Sequence, residues 1–180
     1  MNQVRLEKYA RALLQIGVNL QPGETLVLQT ITEAMDLARE ITKQAFAMGA
    51  KDVVVHIDDP QINHLRAKNC TVETLRDVPD WKKESLDYYF RKGNVVQMGL
   101  MASYPTLNDD VPVEQLLAQN YASNEVRNVV RHYIHNGTLK WTGTVIASQN
   151  WANKLYPDLS EEEAFAKLED ELCQTMRVDD

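Results

Sequence analysis

The chain has 180 residues, a formal net charge of −7 and a pI of about 5.1. This length suits one domain, and the acidic balance argues against nucleic acid and anionic membranes as partners. Charged residues interrupt the apolar ones at the N-terminus, so it is not a signal peptide, and no apolar run approaches the ~20 residues of a membrane span.

The first segment is predicted to be an amphipathic helix that ends near Gly17. Its apolar residues recur at helical spacing: Leu6, Tyr9, Ala10, Leu13, Leu14 and Ile16. A turn follows at 21–24, where Pro22 presets its own φ and Gly23 accepts the positive φ of a type II turn. Residues 25–30 are then predicted to form a short strand with apolar residues on both faces.

The next segment predicts a helix followed by a second strand. Thr30 and Glu33 have the spacing of a capping box, with Thr32 as a competing N-cap, and Gly49 lies where a helix C′ residue belongs. The apolar run 53–57 is predicted to be a buried strand. A crossover of this length between two apolar strands indicates a right-handed βαβ unit and therefore a parallel sheet.

The later elements extend this unit. Helices are predicted from Pro60 to about Asn69, at 72–78, at 81–93, at 113–135 with a break allowed near Ser123, and from Ser160, and further strands at 94–101 and 141–147. Asp59 suits a helix N-cap, and Ser160 forms a capping box with Glu163. The predicted fold class is α/β: a three-layer sandwich over 1–180 with a mainly parallel, doubly wound sheet of about four or more strands.

One strand end carries side chains of the kinds that bind metals. Ligands of open parallel sheets bind beyond the carboxyl ends of the strands. Four such residues lie near one of these ends: His56, Asp58, Asp59 and His64. Asp59 before Pro60 is more simply a helix N-cap, and His56 a core or edge histidine. Because a metal site needs three or four converging ligands, no metal-binding residue is assigned.

No nucleophile or phosphate-binding loop stands out either. Ser103 and Ser148 follow strands but lack a G-x-S-x-G elbow, and Cys70 and Cys173 have no neighbouring histidine in sequence. The cysteines also lack metal or redox spacing, which indicates a reducing, cytoplasmic compartment. The helix dipole explains the two histidines near a predicted helix C-terminus, His132 and His135. The residues alone therefore assign no catalytic or cofactor-binding residue and no cofactor in this chain.

Three segments together resemble one family. They are 17–28 (GVNLQPGETLVL), 45–55 (AFAMGAKDVVV) with the nearby Asp58-Asp59-Pro60, and 151–164 (WANKLYPDLSEEEA). In this order and spacing they are similar to the N-terminal domain of the thermophilic-metalloprotease family of aminopeptidases, the group of aminopeptidase T and aminopeptidase S.

The resemblance implies a two-domain exopeptidase that removes N-terminal residues from peptides with two divalent metal ions, zinc, cobalt or similar. In that family the metal ligands lie in a C-terminal domain, which this chain does not match, so no ligand is carried over to a residue here. The implied partners are a peptide with a free N-terminus and, for the full-length protein, a second copy in a homodimer. This chain alone is expected to be inactive.

A stand-alone α/β ligand-binding or dimerisation module without catalysis is the alternative. The chain stops at 177–180 straight after a predicted helix, which looks like a cut through a longer reading frame as much as a natural terminus. Whether that reading frame continues separates the two hypotheses.

Overall fold

The computed structural model of the chain describes residues 1–178. The strands are β1 (Thr25–Ile31), β2 (Asp52–Asp58), β3 (Val95–Met101) and β4 (Lys140–Val145). The helices are α1 (Gln3–Ala12), α2 (Met35–Ala47), α3 (Pro60–Asn69), α4 (Val72–Arg76), α5 (Asp80–Phe90), α6 (Val113–His135), α7 (Gln149–Leu155) and α8 (Glu161–Thr175). The terminal segment singled out above ends in Asp179 and Asp180, which lie outside the described residues.

All four strands belong to one parallel sheet with the order β2-β1-β3-β4. The chain moves to one side from β1 to β2 and to the other side from β2 to β3 and β4. The order therefore reverses between β1 and β3, as it does in doubly wound sheets. This confirms the predicted α/β class and the parallel, doubly wound sheet.

Helices cover both faces of the sheet, which makes three layers. On one face, called face A, α1, α2 and α8 pack against residues that include Leu28 of β1 and Met98 of β3. On the other, face B, α5 and α6 pack against Val27 and Val95. The alternation of Val27 and Leu28 between the faces follows from the two-residue period of a strand. None of the helices within 1–178 is long and apolar enough to cross a membrane.

Local chemistry sets the turn into β1 and the end of α2. Gly23 has φ +84°, and the Glu24 N–H donates to the Gln21 carbonyl at 3.1 Å, as the predicted type II turn requires. Gly49 has φ +86° and follows the last turn of α2, as predicted for a C′ glycine. The Gly23 N–H donates to the Gly49 carbonyl at 2.8 Å, so the two turns support each other.

Two predicted N-caps are also confirmed. The Asp59 carboxylate accepts hydrogen bonds from the N–H groups of Gln61 and Ile62 at the start of α3. Ser160 and Glu163 make both hydrogen bonds of the capping box at the start of α8. Side-chain oxygens that accept from the first free N–H groups explain why the helices begin at these residues.

The prediction that residues 53–57 form a buried strand is wrong. β2 is an edge strand, and Val55 and Ile57 are 37% and 56% exposed. An apolar run looks the same in a central strand and in an edge strand, and only the strand order separates the two cases.

The capping box expected at Thr30 and Glu33 is absent, and so is the competing N-cap at Thr32. Thr30 stays in β1 opposite Ile57, a 3₁₀ turn occupies Thr32–Ala34, and α2 begins at Met35 without a side-chain cap. Pairing with β2 therefore overrides the local capping signal. There are two smaller differences from the prediction: α6 runs unbroken through Ser123, and the short helix α7 is not among the predicted elements.

Candidate functional site

The carboxyl ends of the four parallel strands lie along one edge of the sheet, called the carboxyl edge. Glu33 follows β1, Asp58 ends β2, Tyr104 follows β3 and Ser148 follows β4. Open α/β sheets bind ligands at this edge, beside the point where the strand order reverses. We therefore treat it as the candidate site.

Tyr104 is the most unusual side chain at this edge. Its hydroxyl oxygen is buried and has no hydrogen-bond partner within the described residues. Burial raises the pKa of Tyr104 far above its ordinary value of 10. The Glu33 carboxylate raises it further, first as a loose acceptor that lies beyond ordinary hydrogen-bond geometry and then through its charge, and Asp59 and Asp58 have smaller effects. The hydroxyl therefore keeps its proton and is available to donate a hydrogen bond among carboxylates.

His56 lies further down the sheet, on β2 opposite Gln29 of β1. Its Nε2 is buried without a hydrogen-bond partner in the described part of the chain, and burial lowers the pKa of its imidazole. The ring is therefore neutral at pH 7. Gln29 is engaged, because its side-chain oxygen accepts from the Gln97 amide at 3.1 Å.

The structure does not bring the cluster His56, Asp58, Asp59 and His64 together. Asp59 caps α3, and both oxygens of Asp58 accept from the Asn63 amide at 2.8 and 2.9 Å. His64 turns to the loop before α6, with Asn108 at 3.2 Å and Asp110 at 3.5 Å. Each of these three side chains therefore has a local partner, as expected for structural residues.

The remaining histidine pair lies at the opposite end of the sheet. His132 and His135 end α6, and the His132 Nε2 lies 3.2 Å from the Asn136 amide.

Over residues 1–178, no three His, Cys, Asp or Glu side chains are placed to hold a metal ion. The donors described here thus do not fit a metal pair. The assignment of no catalytic, cofactor-binding or metal-binding residue stays a prediction.

Ser148 has a structural role. It is 2% exposed, its hydroxyl donates to the Ser103 carbonyl at 2.6 Å, and it accepts from the Trp151 N–H at 3.2 Å as the N-cap of α7. No histidine takes part in these contacts, so no base is positioned to activate the hydroxyl. Cys173 is fully buried, and burial raises the pKa of its thiol, which makes it a poor nucleophile.

A cleft of about 200 Å³ opens near the carboxyl edge on face A. Its apolar walls include Ile146 and Phe165, and Glu33 and Glu169 supply carboxylates. The N-terminal ammonium of Met1 lies 2.8 Å from Glu169 in the same region. A larger hollow of about 550 Å³ is lined by residues of α5 and by its C-cap, Arg91, so no second element converges on it.

Glu33 and Tyr104 are the two candidates that motif analysis missed. Neither belongs to a catalytic motif: Glu33 entered the sequence analysis only as half of an expected capping box, and no role was predicted for Tyr104. Their shared signal is position, since each follows directly from the carboxyl end of a central strand. Only the pairing of β1 with β3 shows that these two ends are neighbours.

Replacing Tyr104 by phenylalanine tests whether its hydroxyl contributes to stability. Because the hydroxyl is buried without a partner, we expect the free energy of unfolding to stay unchanged or to rise by up to ~1 kcal/mol. Tyr133→Phe is the matched control, since the Tyr133 hydroxyl donates to Asp87 at 2.6 Å and its loss should cost about 1 kcal/mol. Urea denaturation measures both, and a Tyr104→Phe loss as large as that of the control would contradict the expectation.

The parallel, doubly wound sheet with helices on both faces describes a domain of the α/β class. Comparison with known proteins identifies its family. Residues 2–180 match the family described as thermophilic metalloprotease (M29), and the chain belongs to that family. The predicted resemblance is confirmed, and the relatives below are aminopeptidases.

Over 174 residues the chain is 32% identical to aminopeptidase PepS of Streptococcus thermophilus, covering 96% of this chain and 42% of PepS. It is 29% identical over 176 residues to aminopeptidase AmpS of Bacillus subtilis (strain 168), covering 98% of this chain and 43% of AmpS. The solved structure of wild-type AmpT from Thermus thermophilus matches with a TM-score of 0.86 at 26% identity, covering 94% of this chain and 43% of that chain. The chain thus spans less than half the length of these relatives.

Proposed function

We propose that this chain is the N-terminal, non-metal-binding domain of a metal-dependent aminopeptidase that removes N-terminal residues from peptides by hydrolysis. The observation that carries the proposal is the family match over residues 2–180, combined with coverage of only 42–43% of the aminopeptidases. The full-length protein is further proposed to be a cytoplasmic homodimer.

The metal ligands belong to the rest of the polypeptide in this proposal. No three potential metal ligands of residues 1–178 converge on one point. At the carboxyl edge, Asp58 and His64 contact Asn63 and Asn108 instead. Two divalent ions, zinc, cobalt or similar, would supply a water of lowered pKa in the full-length enzyme. No step of that chemistry is assigned to a residue of this chain.

The contribution of this chain is to wall the substrate cavity and to help select free amino termini. Glu33 and Asp58 place negative charge at the carboxyl edge, where a protonated α-amino group is attracted. Tyr104 offers a hydroxyl donor beside them, suited to a peptide carbonyl. Such contacts position a substrate. They do not accelerate hydrolysis unless a nucleophile is held beside the scissile bond.

Hydrolysis of aminoacyl-p-nitroanilides with added cobalt or zinc tests the proposal. We expect the 180-residue chain alone to show no hydrolysis, because in this proposal it supplies no metal-activated water. A chimera in which this chain replaces the matching part of PepS should show chelator-sensitive activity, with intact PepS as the positive control.

Two results would count against the proposal. Chelator-sensitive hydrolysis by the chain alone would reveal a metal site within it. A folded chimera that binds metal but shows no activity, while intact PepS is active, would favour the alternative of a ligand-binding or dimerisation module without catalysis.

A further inference from the structure

The cleft near the carboxyl edge on face A has apolar walls that come from four parts of the fold. The larger side chains are Leu6 from α1, Leu37 from α2, Ile146 from the segment after β4, and Phe165 and Leu172 from α8. Two buried alanines, Ala34 and Ala147, also line the cleft, and their short side chains leave its inner part open. Separate elements therefore converge to shape an apolar space.

The size of the cleft suits one amino-acid side chain. Its volume of about 200 Å³ is below the ~300–1,000 Å³ of pockets that enclose drug-sized ligands. A helix or strand of a partner protein is too wide to enter it, whereas a leucine, methionine or phenylalanine side chain is not. A ligand that fits inserts one apolar side chain and keeps its other groups at the mouth.

Three carboxylates border the cleft, and two of them are paired with cations. Glu169 binds the N-terminal ammonium at 2.8 Å, and Asp36 pairs with Arg39 at 2.8 Å. Glu33 accepts a hydrogen bond from the Thr32 hydroxyl at 2.9 Å and has no cationic partner among residues 1–178. Glu33 is also exposed, so its carboxylate is open to a positively charged group of a ligand.

Glu33 connects the cleft with Tyr104. Its carboxylate raises the pKa of Tyr104, so the two side chains are close to each other. A ligand that places a side chain in the cleft and a cation at Glu33 therefore brings its adjoining atoms towards the Tyr104 hydroxyl. In a peptide the group next to the first Cα is a carbonyl, which accepts a hydrogen bond from a hydroxyl.

We propose that this cleft takes the side chain of the first residue of a peptide and that Glu33 pairs with the α-ammonium group of that residue. The inference rests on the proposed function and names its substrate class: peptides whose first residue has a large apolar side chain. Burying such a side chain strengthens binding at least about ten-fold, whereas an exposed ion pair contributes about five-fold at most. The apolar walls therefore matter more than the charge.

NMR titration of the 180-residue chain with L-leucinamide tests the proposal without catalysis. At about pH 6 the α-amino group carries its charge. We expect saturable shifts of the backbone amides around the cleft, with a dissociation constant on the order of millimolar. Glycinamide lacks the side chain and should bind at least about ten-fold more weakly, and N-acetyl-leucinamide lacks the charge and should bind about three-fold more weakly.

Two variants locate the ligand. Leu172→Gln places a polar group in the apolar wall and should weaken leucinamide binding at least about five-fold. Glu33→Gln should abolish the difference between leucinamide and its N-acetyl form, because it removes the charge that distinguishes them. The matched controls, Leu159→Gln and Glu84→Gln, change exposed residues outside the cleft and should leave binding unchanged. Thermal unfolding checks that each variant is folded.

The PepS chimera tests the link to hydrolysis. Leu172→Gln should lower its preference for leucyl- over glycyl-p-nitroanilide, measured as the ratio of kcat/KM values, at least about three-fold. Equal binding of leucinamide and glycinamide, shifts that lie away from the cleft, or an unchanged preference in an active chimera would each overturn the proposal. A chimera without activity would count against the proposed function instead, and the titration would still decide whether the cleft binds this ligand.

Discussion

Replacing Leu28 by alanine is expected to lower the free energy of unfolding by about 2–5 kcal/mol. Leu28 is fully buried in β1, a strand with a neighbour on each side, and it lies level with Val55 of β2 and Met98 of β3. Helices α1 and α2 complete its surroundings on face A. The substitution removes apolar contact area and leaves a cavity that so central a position cannot close.

Ile57→Ala is the matched control for this prediction. It also truncates a large aliphatic side chain in a strand, but Ile57 is 56% exposed on the edge strand β2. Its cost should stay below about 1 kcal/mol. Urea denaturation followed by circular dichroism compares the two, and equal losses would mean that β1 is not the centre of the core.

Replacing Lys140 by alanine is expected to cost about 1–3 kcal/mol. The Lys140 ammonium lies 2.8 Å from the Glu24 carboxylate, which is only 10% exposed at the start of β1. Without the lysine this carboxylate keeps one backbone donor, the Gln21 N–H at 2.8 Å, and little solvent. The estimate is below that for a fully buried pair because Lys140 itself is 40% exposed.

Arg39→Ala provides the comparison for an exposed ion pair. Arg39 and Asp36 are 69% and 81% exposed, so their bridge should contribute less than about 1 kcal/mol and should weaken further with salt. If Lys140→Ala proved no more costly than Arg39→Ala, the Glu24 carboxylate would have to be hydrated, against its observed burial.

Turns and helix ends were predictable from sequence because their causes are local. Gly23, Gly49 and Asp59 each act through a backbone angle or a hydrogen bond within a few residues. The helical segment α2 between two apolar strands predicted a parallel sheet. Parallel neighbours need a crossover of about a dozen residues or more, and α2 with its flanking turns supplies one. These signals do not depend on the rest of the fold.

Strand order and the contacts that follow from it were not predictable. Val55 and Ile57 looked like core residues because apolar content does not reveal on which side of β1 the next strand pairs. Thr30 looked like an N-cap because its pairing with Ile57 is invisible in the sequence. The bond from the Ser148 hydroxyl to the Ser103 carbonyl likewise depends on the neighbouring strand.

The same reasoning applies to the candidate site. Strand ends could be located, but the grouping of Glu33 with Tyr104 needs the β1–β3 pairing that joins distant segments. The metal-like cluster at His56 to His64 was close in sequence only, and its members face different partners in space. Proximity along the chain was therefore a poor guide to chemistry here.

The central place of β1 constrains the order in which the chain can fold as it leaves the ribosome. Thr25 pairs with Asp52 on one side and with Val95 on the other, and closing the longer loop costs about 0.8 kcal/mol more in chain entropy. The unit β1–α2–β2 should therefore form first. Until β3 has been synthesised, the inner edge of β1 stays open, and pulsed hydrogen exchange should find its amides protected in two stages. A chain halted between these stages would expose the inner edge of β1, a strand that is almost wholly buried in the complete fold, to neighbouring chains.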